Sequence, residues 1–406
     1  MAGARSPYTM SYHYFYKKLD QQARHLFPSL DELGEIAWEH LVSPLELTLP
    51  VQVRERATRA IQALYRVSRS ETYSSLLEPV APVSERKIRH NSVLMAYDFH
   101  TTMDGRCYLV EVNTNASGYM LCSLMERAHA DNAADDIKPL ADLASSFREE
   151  LRLSGRPTNN LAVAITDDDI PDQKMYPEFL MYRDWFQTQG WNAALCEARD
   201  LRLVGERLQT PTGMALELVY NRLTDFYLED SEHSGLREAA TRELACITPH
   251  PREYWLLADK QRLIQLTQPG FLERAGASAE DLAAIREVLL PTFEKTDFES
   301  EDEIWSQRKS LFFKPKRSHG GKSVYRGESV SRRVFERLMK EDILIQKYQP
   351  AQKIPIEDPR SVLSNWKFDL RFYVYADRVQ LVAARIYQGQ VTNFSSAMGG
   401  FTLVRF

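Results

Sequence analysis

The stretch FFKPKRSHGGKSVYRG at residues 312–327 concentrates chemistry: a strand-like run ends on Lys314, a basic turn containing Gly320 and Gly321 follows, and a second strand-like run returns. Adjacent glycines let backbone N–H groups approach phosphate oxygens with no Cβ in the way, and a lysine at the strand end sets an ammonium beside them. That is the chemistry of a phosphate clamp. The segment lacks the GxxxxGKS/T spacing of a P-loop, and taken alone it also fits a basic hairpin facing solvent.

A second constellation lies far upstream, where Glu111-Val112-Asn113 stands within LVEVNTNASG. The period of two along a strand puts Glu111 and Asn113 on one face. Residues 92–100 and 107–112 are short apolar-rich runs separated by Met103-Asp104-Gly105, which predicts a hairpin and can bring Asp98 beside the other two. Two carboxylates and an amide oxygen suit Mg²⁺, which takes a few protein oxygens and keeps waters and phosphate oxygens for its other positions.

The elements that must position these groups divide the 406 residues into several lobes, since such a length exceeds one compact core. Residues 1–88 read as a helical N-terminal segment: Val53, Ala57, Ile61, Leu64 and Tyr65 recur at three- and four-residue steps after Pro50, and Leu33, Ile36, Ala37, Leu41 and Val42 follow the same spacing. Residues 89–155 hold the metal hairpin and a helical stretch over 119–152. Residues 156–250 read as a βαβ lobe with parallel character, with strands near 161–165, 192–196 and 216–222 and a helix near 177–189. Residues 251–406 end in closely spaced alternating runs from residue 310 onward, a mostly antiparallel sheet interrupted by a helix at 329–341. The fold class is α/β with an α+β sheet region. The scattered cysteines, Cys107, Cys122, Cys196 and Cys246, show no CxxC spacing and read as reduced core thiols.

Fifty-six acidic residues against 51 basic ones give a charge of -5, which excludes a protein built to coat nucleic acid, so an anionic ligand must be met locally. No run approaches the ~18–20 apolar residues of a membrane span, and the N-terminus lacks an apolar leader, so the chain reads as cytoplasmic with no membrane partner.

Downstream of Lys314 come ILIQKYQP, then FDLRFYVY with Asp369 and Arg371, then TNFSSAMGG with Asn393, Gly399 and Gly400. With the lysine loop, this series resembles the ATP-grasp superfamily, whose antiparallel sheet closes over ATP with a lysine strand, a glycine-rich lid, a hinge strand that reads adenine, and a metal-binding strand. The resemblance makes Gln346, Lys347 and Tyr348 the hinge and adds Lys314, Gly320, Gly321 and Asn393 as nucleotide contacts. Because the D…ExN hairpin precedes the lysine, the order resembles the circularly permuted branch represented by eukaryotic-type glutathione synthetase and bacterial glutathionylspermidine synthetase, over roughly residues 90–406. ADKQRLIQLTQPGFLERA resembles that branch's internal ATP lysine region, which makes Lys260 a second phosphate or adenine contact; a solvated helix lysine is the plainer alternative. LVYNRLTDF resembles the strand end whose arginine meets a peptide-like substrate, which assigns Arg222, and NTNASG would present Ser117 to that substrate.

Two departures stand out. Ser318 and His319 occupy the places of a carboxylate that helps hold metal in glutathione synthetase, so the metal falls to Asp98, Glu111 and Asn113. Ala96 stands where the glutathionylspermidine branch has an arginine facing the reaction, which leaves Arg371 as the substitute stabiliser of an acyl phosphate and a substrate contact.

The resemblance implies an ATP-dependent carboxylate–amine ligase using Mg²⁺, forming an amide through an acyl phosphate on an amino acid or short peptide, with Lys314, Arg371 and Arg222 catalytic. Its partners would be ATP and small carboxylate and amine substrates, and it admits a homodimer. A kinase using the same ATP site, a peptide macrocyclase and a non-catalytic nucleotide-binding protein are the alternatives. A Ser-His-Asp hydrolase finds no GxSxG elbow to support it.

Overall fold

The computed structural model describes residues 3–5, 12–129, 138–316, 324–357, 363–390, 392, 396 and 398–406. Eight strands form the main sheet, in the order Gly3–Arg5, Val42–Thr48, Gly400–Arg405, Arg378–Tyr387, Leu363–Tyr375, Met95–Thr101 and Cys107–Asn113, with Gln352–Glu357 also paired to the 13-residue strand Leu363–Tyr375. Its pairings are antiparallel except that Gly400–Arg405 runs parallel to Val42–Thr48.

Both faces of this sheet are buried. Along Leu363–Tyr375, Phe372 and Val374 enter the core beneath the helix Val51–Ser68, while Tyr373 and Tyr375 enter the opposite core with the helices Tyr119–His129, Lys138–Leu153 and Tyr176–Thr188. A strand covered on both faces needs apolar side chains at successive positions, which is why its last four residues, FYVY at 372–375, are apolar without interruption. Helix Val51–Ser68 begins after Pro50 and buries Val53, Ala57, Ile61 and Leu64, as their spacing predicts.

The middle lobe is a four-stranded parallel sheet ordered Cys246–Thr248, Leu218–Asn221, Ala162–Asp167, Asn192–Glu197, in keeping with the expected βαβ reading. A third, antiparallel sheet joins Thr292–Phe293, Ile343–Lys347, Leu311–Pro315 and Tyr325–Arg326 around its own core of Phe313, Phe335, Leu338 and Ile345. The closely spaced strands after residue 310 therefore split between two sheets rather than forming one, because helix Arg332–Leu338 gives the lysine strand a separate core to cover.

The helical reading of the first 88 residues is corrected at Val42–Thr48, which is a strand. Leu45, Leu47 and Leu49 alternate into the core while Glu46 and Thr48 are more exposed, a period of two that the helix-like spacing ending at Leu41 and Val42 hides. All four cysteines are buried free thiols, as expected. No helix among the described residues is long and apolar enough to cross a membrane.

Candidate active site

A cavity of about 770 Å³ lies where the three sheets meet. Seven lysines and arginines line it against four aspartates and glutamates, a local positive excess in a chain of net charge -5. At its centre the hairpin pairs Asp98 with Glu111 and then Phe99 with Leu109, so Val110 is an extra residue, a β-bulge. A bulge takes a backbone group out of the ladder. Here the Val110 carbonyl accepts from Lys314 Nζ at 3.0 Å, and Gln346 Oε1 accepts from the same ammonium at 3.0 Å. The Gln346 amide nitrogen donates to Thr292 Oγ1 at 3.3 Å, and that hydroxyl donates to the Leu290 carbonyl at 2.8 Å, which turns the amide oxygen toward the lysine.

Lys314 is 3% exposed, and burial pushes its ammonium down to about 8 against the opposing pull of Glu111. Lys260 is lowered for the same reason, with Glu111 and Asp259 pulling the other way. It stands at the start of the helix Gln261–Thr267, directly after a π-turn at Tyr254–Ala258 closed by the Asp259 amide donating to the Tyr254 carbonyl at 2.8 Å. Such turns widen a helix and re-aim the residues beyond them.

Asp98 is enclosed by donors. Arg371 Nε and Nη2 reach its two oxygens at 2.8 and 2.7 Å, Arg385 Nη2 lies at 2.9 Å and Asn113 Nδ2 at 3.1 Å. Strand register sets this up, because Arg371 pairs with Asp98 and Arg385 pairs with Asp369. Arg385 Nε donates to Asp369 at 2.7 Å, and Thr392 donates its hydroxyl to the same carboxylate. Burial alone would raise Asp98, but the two guanidiniums outweigh it and hold the carboxyl at about 2.

Of the expected metal set, Asp98 is the one whose two oxygens both accept from arginines. Asn113 spends its amide N–H₂ on Asp98 and, at 3.4 Å, on Glu111, which leaves its carbonyl oxygen as an acceptor. Glu111 and Asn113, both partly exposed on the cavity wall, are hard oxygen donors that fit Mg²⁺.

At one end of the cavity Tyr348 lies nearly parallel to Phe312, ring centroids 6.1 Å apart, with the Arg326 guanidinium 4.7 Å from its ring centre. The Lys347 and Tyr348 amides donate to the Pro291 and Ser310 carbonyls, both at 2.8 Å, so those two N–H groups are engaged within the frame. At the other end, the loop from Thr114 to Ser117 and the C-terminal ends of parallel strands line the wall, including Asp167, whose carboxyl burial raises to about 6.

Arg222 is 4% exposed and lies behind this wall rather than on it. It donates to the Ala116 carbonyl at 2.8 Å, to the Tyr220 hydroxyl at 2.9 Å and to the Ser117 hydroxyl, and its guanidinium sits 5.4 Å from the ring centre of Phe179. In this arrangement the side chain braces the loop that presents Ser117, and its Nε is buried without a hydrogen-bond partner among the described residues. The same loop is held from elsewhere by Tyr373, which donates to the Ser117 carbonyl at 2.6 Å, and by the buried Glu178, which accepts from the Gly118 amide at 2.8 Å and the Met120 amide at 3.1 Å.

No protein-family profile and no curated protein matches the sequence. Solved structures do. A glutathione synthetase-like effector from Globodera pallida, in its apo form, aligns at TM-score 0.56 with 12% identity over 96% of each chain. The fold is ATP-grasp-like. A putative gamma-glutamylcysteine synthetase from Methylobacillus flagellatus KT aligns at TM-score 0.47 and 8% identity over 86% of this chain and 85% of that one. The ATP-grasp ligase PsnB, complexed with a minimal precursor, gives 0.31 and 9% over 61% of this chain and 90% of its own.

In the ATP-grasp-like frame, Asp98, Glu111, Asn113, Ser117, Lys260, Lys314, Gln346, Lys347, Tyr348 and Arg371 all line one cavity, although they come from distant parts of the sequence. Gly320, Gly321 and Asn393, with the rest of the stretch 317–323 between the two strand-like runs, lie outside the described residues. Sequence reasoning missed Arg385, which binds Asp98 and Asp369 together. The available signal was an arginine within the otherwise apolar run LVAARIY, a charge that a doubly covered strand must pair.

Proposed function

We propose that the protein is an ATP-dependent carboxylate–amine ligase of the circularly permuted ATP-grasp kind, acting on an amino acid or short peptide. The observation that carries this reading is the convergence of Lys314, Lys260, Glu111 and Asn113 on one cavity, with Lys314 held between the Val110 carbonyl and Gln346. Glu111 and Asn113 would hold Mg²⁺, which when bound neutralises triphosphate charge. Lys314 and Lys260 would follow the phosphates, and Phe312 and Tyr348 would flank the base.

A substrate carboxylate oxygen attacks the γ-phosphorus, the bond to the bridging oxygen breaks and ADP leaves. The amine nitrogen then attacks the acyl carbon, the C–O bond to phosphate breaks, and the nitrogen gives up a proton. No side-chain nucleophile is required; positioning and neutralisation of phosphoryl charge suffice. Arg371 and Arg385, at the junction of hairpin and sheet, would face the acyl phosphate, and Ser117 would meet the substrate on a loop fixed by Arg222.

ADP release measured across pairs of amino acids and polyamines, with mass detection of products, tests the reading. An amide with stoichiometric ADP and dependence on Mg²⁺ is the expected result. ADP with a phosphorylated hydroxyl and no amide would make the protein a kinase, and no turnover with any pair would overturn the ligase reading.

A further inference from the structure

One charged cluster beside the cavity is not absorbed by the nucleotide site. His233, 3% exposed at the end of the turn Ser231–His233, has a carboxylate at each ring nitrogen: Nδ1 is 2.7 Å from Asp225 Oδ2, and Nε2 is 3.1 and 3.0 Å from the two oxygens of Asp168. A neutral imidazole offers one N–H and one lone pair, so it would turn that lone pair on a carboxylate; with both nitrogens so placed, the ring is an imidazolium donating twice.

The two carboxylates belong to different loops. Asp168 follows the strand Ala162–Asp167, and its backbone amide donates to Asp167 Oδ1 at 2.9 Å, which aims a cavity-lining carboxyl. Asp225 follows the strand Leu218–Asn221, accepts the amides of Glu229 and Asp230 at 3.0 and 2.9 Å, and stands between Thr224 and Phe226, both on the cavity wall.

We propose that His233 is a positioning residue that ties these two loops together and so sets the substrate side of the cavity, a role that rests on the ligase reading for its meaning but not for its geometry. Of the other charged groups around it, Arg199, on the neighbouring turn with Asp200, pairs with Asp169 at 2.9 Å and with Glu197 at 3.5 Å. Arg237, on the following helix with Glu238, donates to the Leu228 and Asp230 carbonyls at 2.6 and 3.0 Å, and Glu232 precedes the histidine in its own turn. Burial opposes the cation, but Asp225 and Asp168 outweigh it and raise the imidazole to about 9. The tie is therefore fully formed below the ordinary histidine range of about 6.5 and is lost as pH rises through about 9.

Hydrogen exchange on the full chain tests this. In His233→Gln, which can donate to one carboxylate at a time, amides in both loops should exchange about tenfold faster at about pH 7.5, while the strand amides of the parallel sheet stay protected. His233→Arg, a cation able to span both acids, should restore protection. In the wild type both loops should loosen together between about pH 8 and 10 after correction for intrinsic exchange. Unchanged exchange, a response in only one loop, no rescue by arginine, or equal loss in the strands would each overturn the proposal. Calorimetric affinity for Mg·ATP should differ less than about twofold between wild type and variant. If the wild type binds no Mg·ATP, the ligase reading fails while the exchange result on His233 stands or falls by itself.

Discussion

The Lys314 ammonium is buried and held by two acceptors, which fits it for the phosphate-following role proposed above. Lys314→Ala should lower kcat by about 10²–10³, or ~3–4 kcal/mol, if the ammonium follows developing charge as oxyanion-hole donors do; a near-normal rate in steady-state assays would return it to a structural role. Two neighbouring carboxylates should separate cleanly in mutagenesis. Glu111→Gln should weaken Mg²⁺-dependent nucleotide binding with little loss of stability, whereas Asp98→Asn leaves Arg371 and Arg385 buried with a lost counter-charge and should cost about 3–5 kcal/mol in denaturant unfolding. If Asp98→Asn instead unfolds like the wild type and abolishes Mg²⁺ dependence, Asp98 is the metal ligand after all. Because the folded Asp98 carboxyl is depressed to about 2, its contribution is present above the ordinary aspartate range of about 3.9 and is lost as pH falls through about 2.

At the scale of elements, the loop that presents Ser117 depends on Gly118, whose φ is +102° and where an added Cβ would run into the Phe401 ring. Gly118→Ala should cost about 2–4 kcal/mol, the sum of overpacking and a left-handed backbone. Gly105→Ala, also at positive φ but in open space, should cost only about 1 kcal/mol; equal denaturant midpoints for the two would show that the Phe401 contact relaxes freely. Which elements are legible in the sequence depends on how local their determinants are. The Asp-Gly turn and the alternation around it define the Met95–Thr101 and Cys107–Asn113 hairpin over a short span of chain, so the proximity of Glu111, Asn113 and Asp98 is readable from local pattern alone. The bulge at Val110 is not, because a register shift depends on the partner strand and on where Lys314 arrives from a different sheet. The same holds for Arg222, whose type and strand-end position suit a substrate contact; only the packing of Phe179, Tyr220 and the Ala116 carbonyl around it shows that its Nη1 and Nη2 groups bond to the loop and to Tyr220 while its Nε is buried without a partner among the described residues.

For the molecule as a whole, nucleotide binding should appear as stability. A ligand at 100 times its Kd adds about 2.7 kcal/mol, so ATP should raise Tm in the presence of Mg²⁺ and hardly at all in EDTA, since triphosphate beside Glu111 without a cation sets like charges together. Equal protection in both conditions, measured by calorimetry, would remove the metal role from Glu111 and Asn113. The central sheet carries one more consequence, for synthesis. Val42–Thr48 lies beside Gly400–Arg405, and Thr402 donates its hydroxyl to the Leu45 carbonyl 357 residues earlier. On the ribosome the parallel lobe can form as soon as its own strands emerge, whereas Leu45 and Leu47 wait for a neighbour translated 357 residues after Leu45. That interval is when an uncovered, apolar strand edge is open to other nascent chains, so yield in cells should respond to chaperone supply more sharply than the stability of the finished protein would suggest.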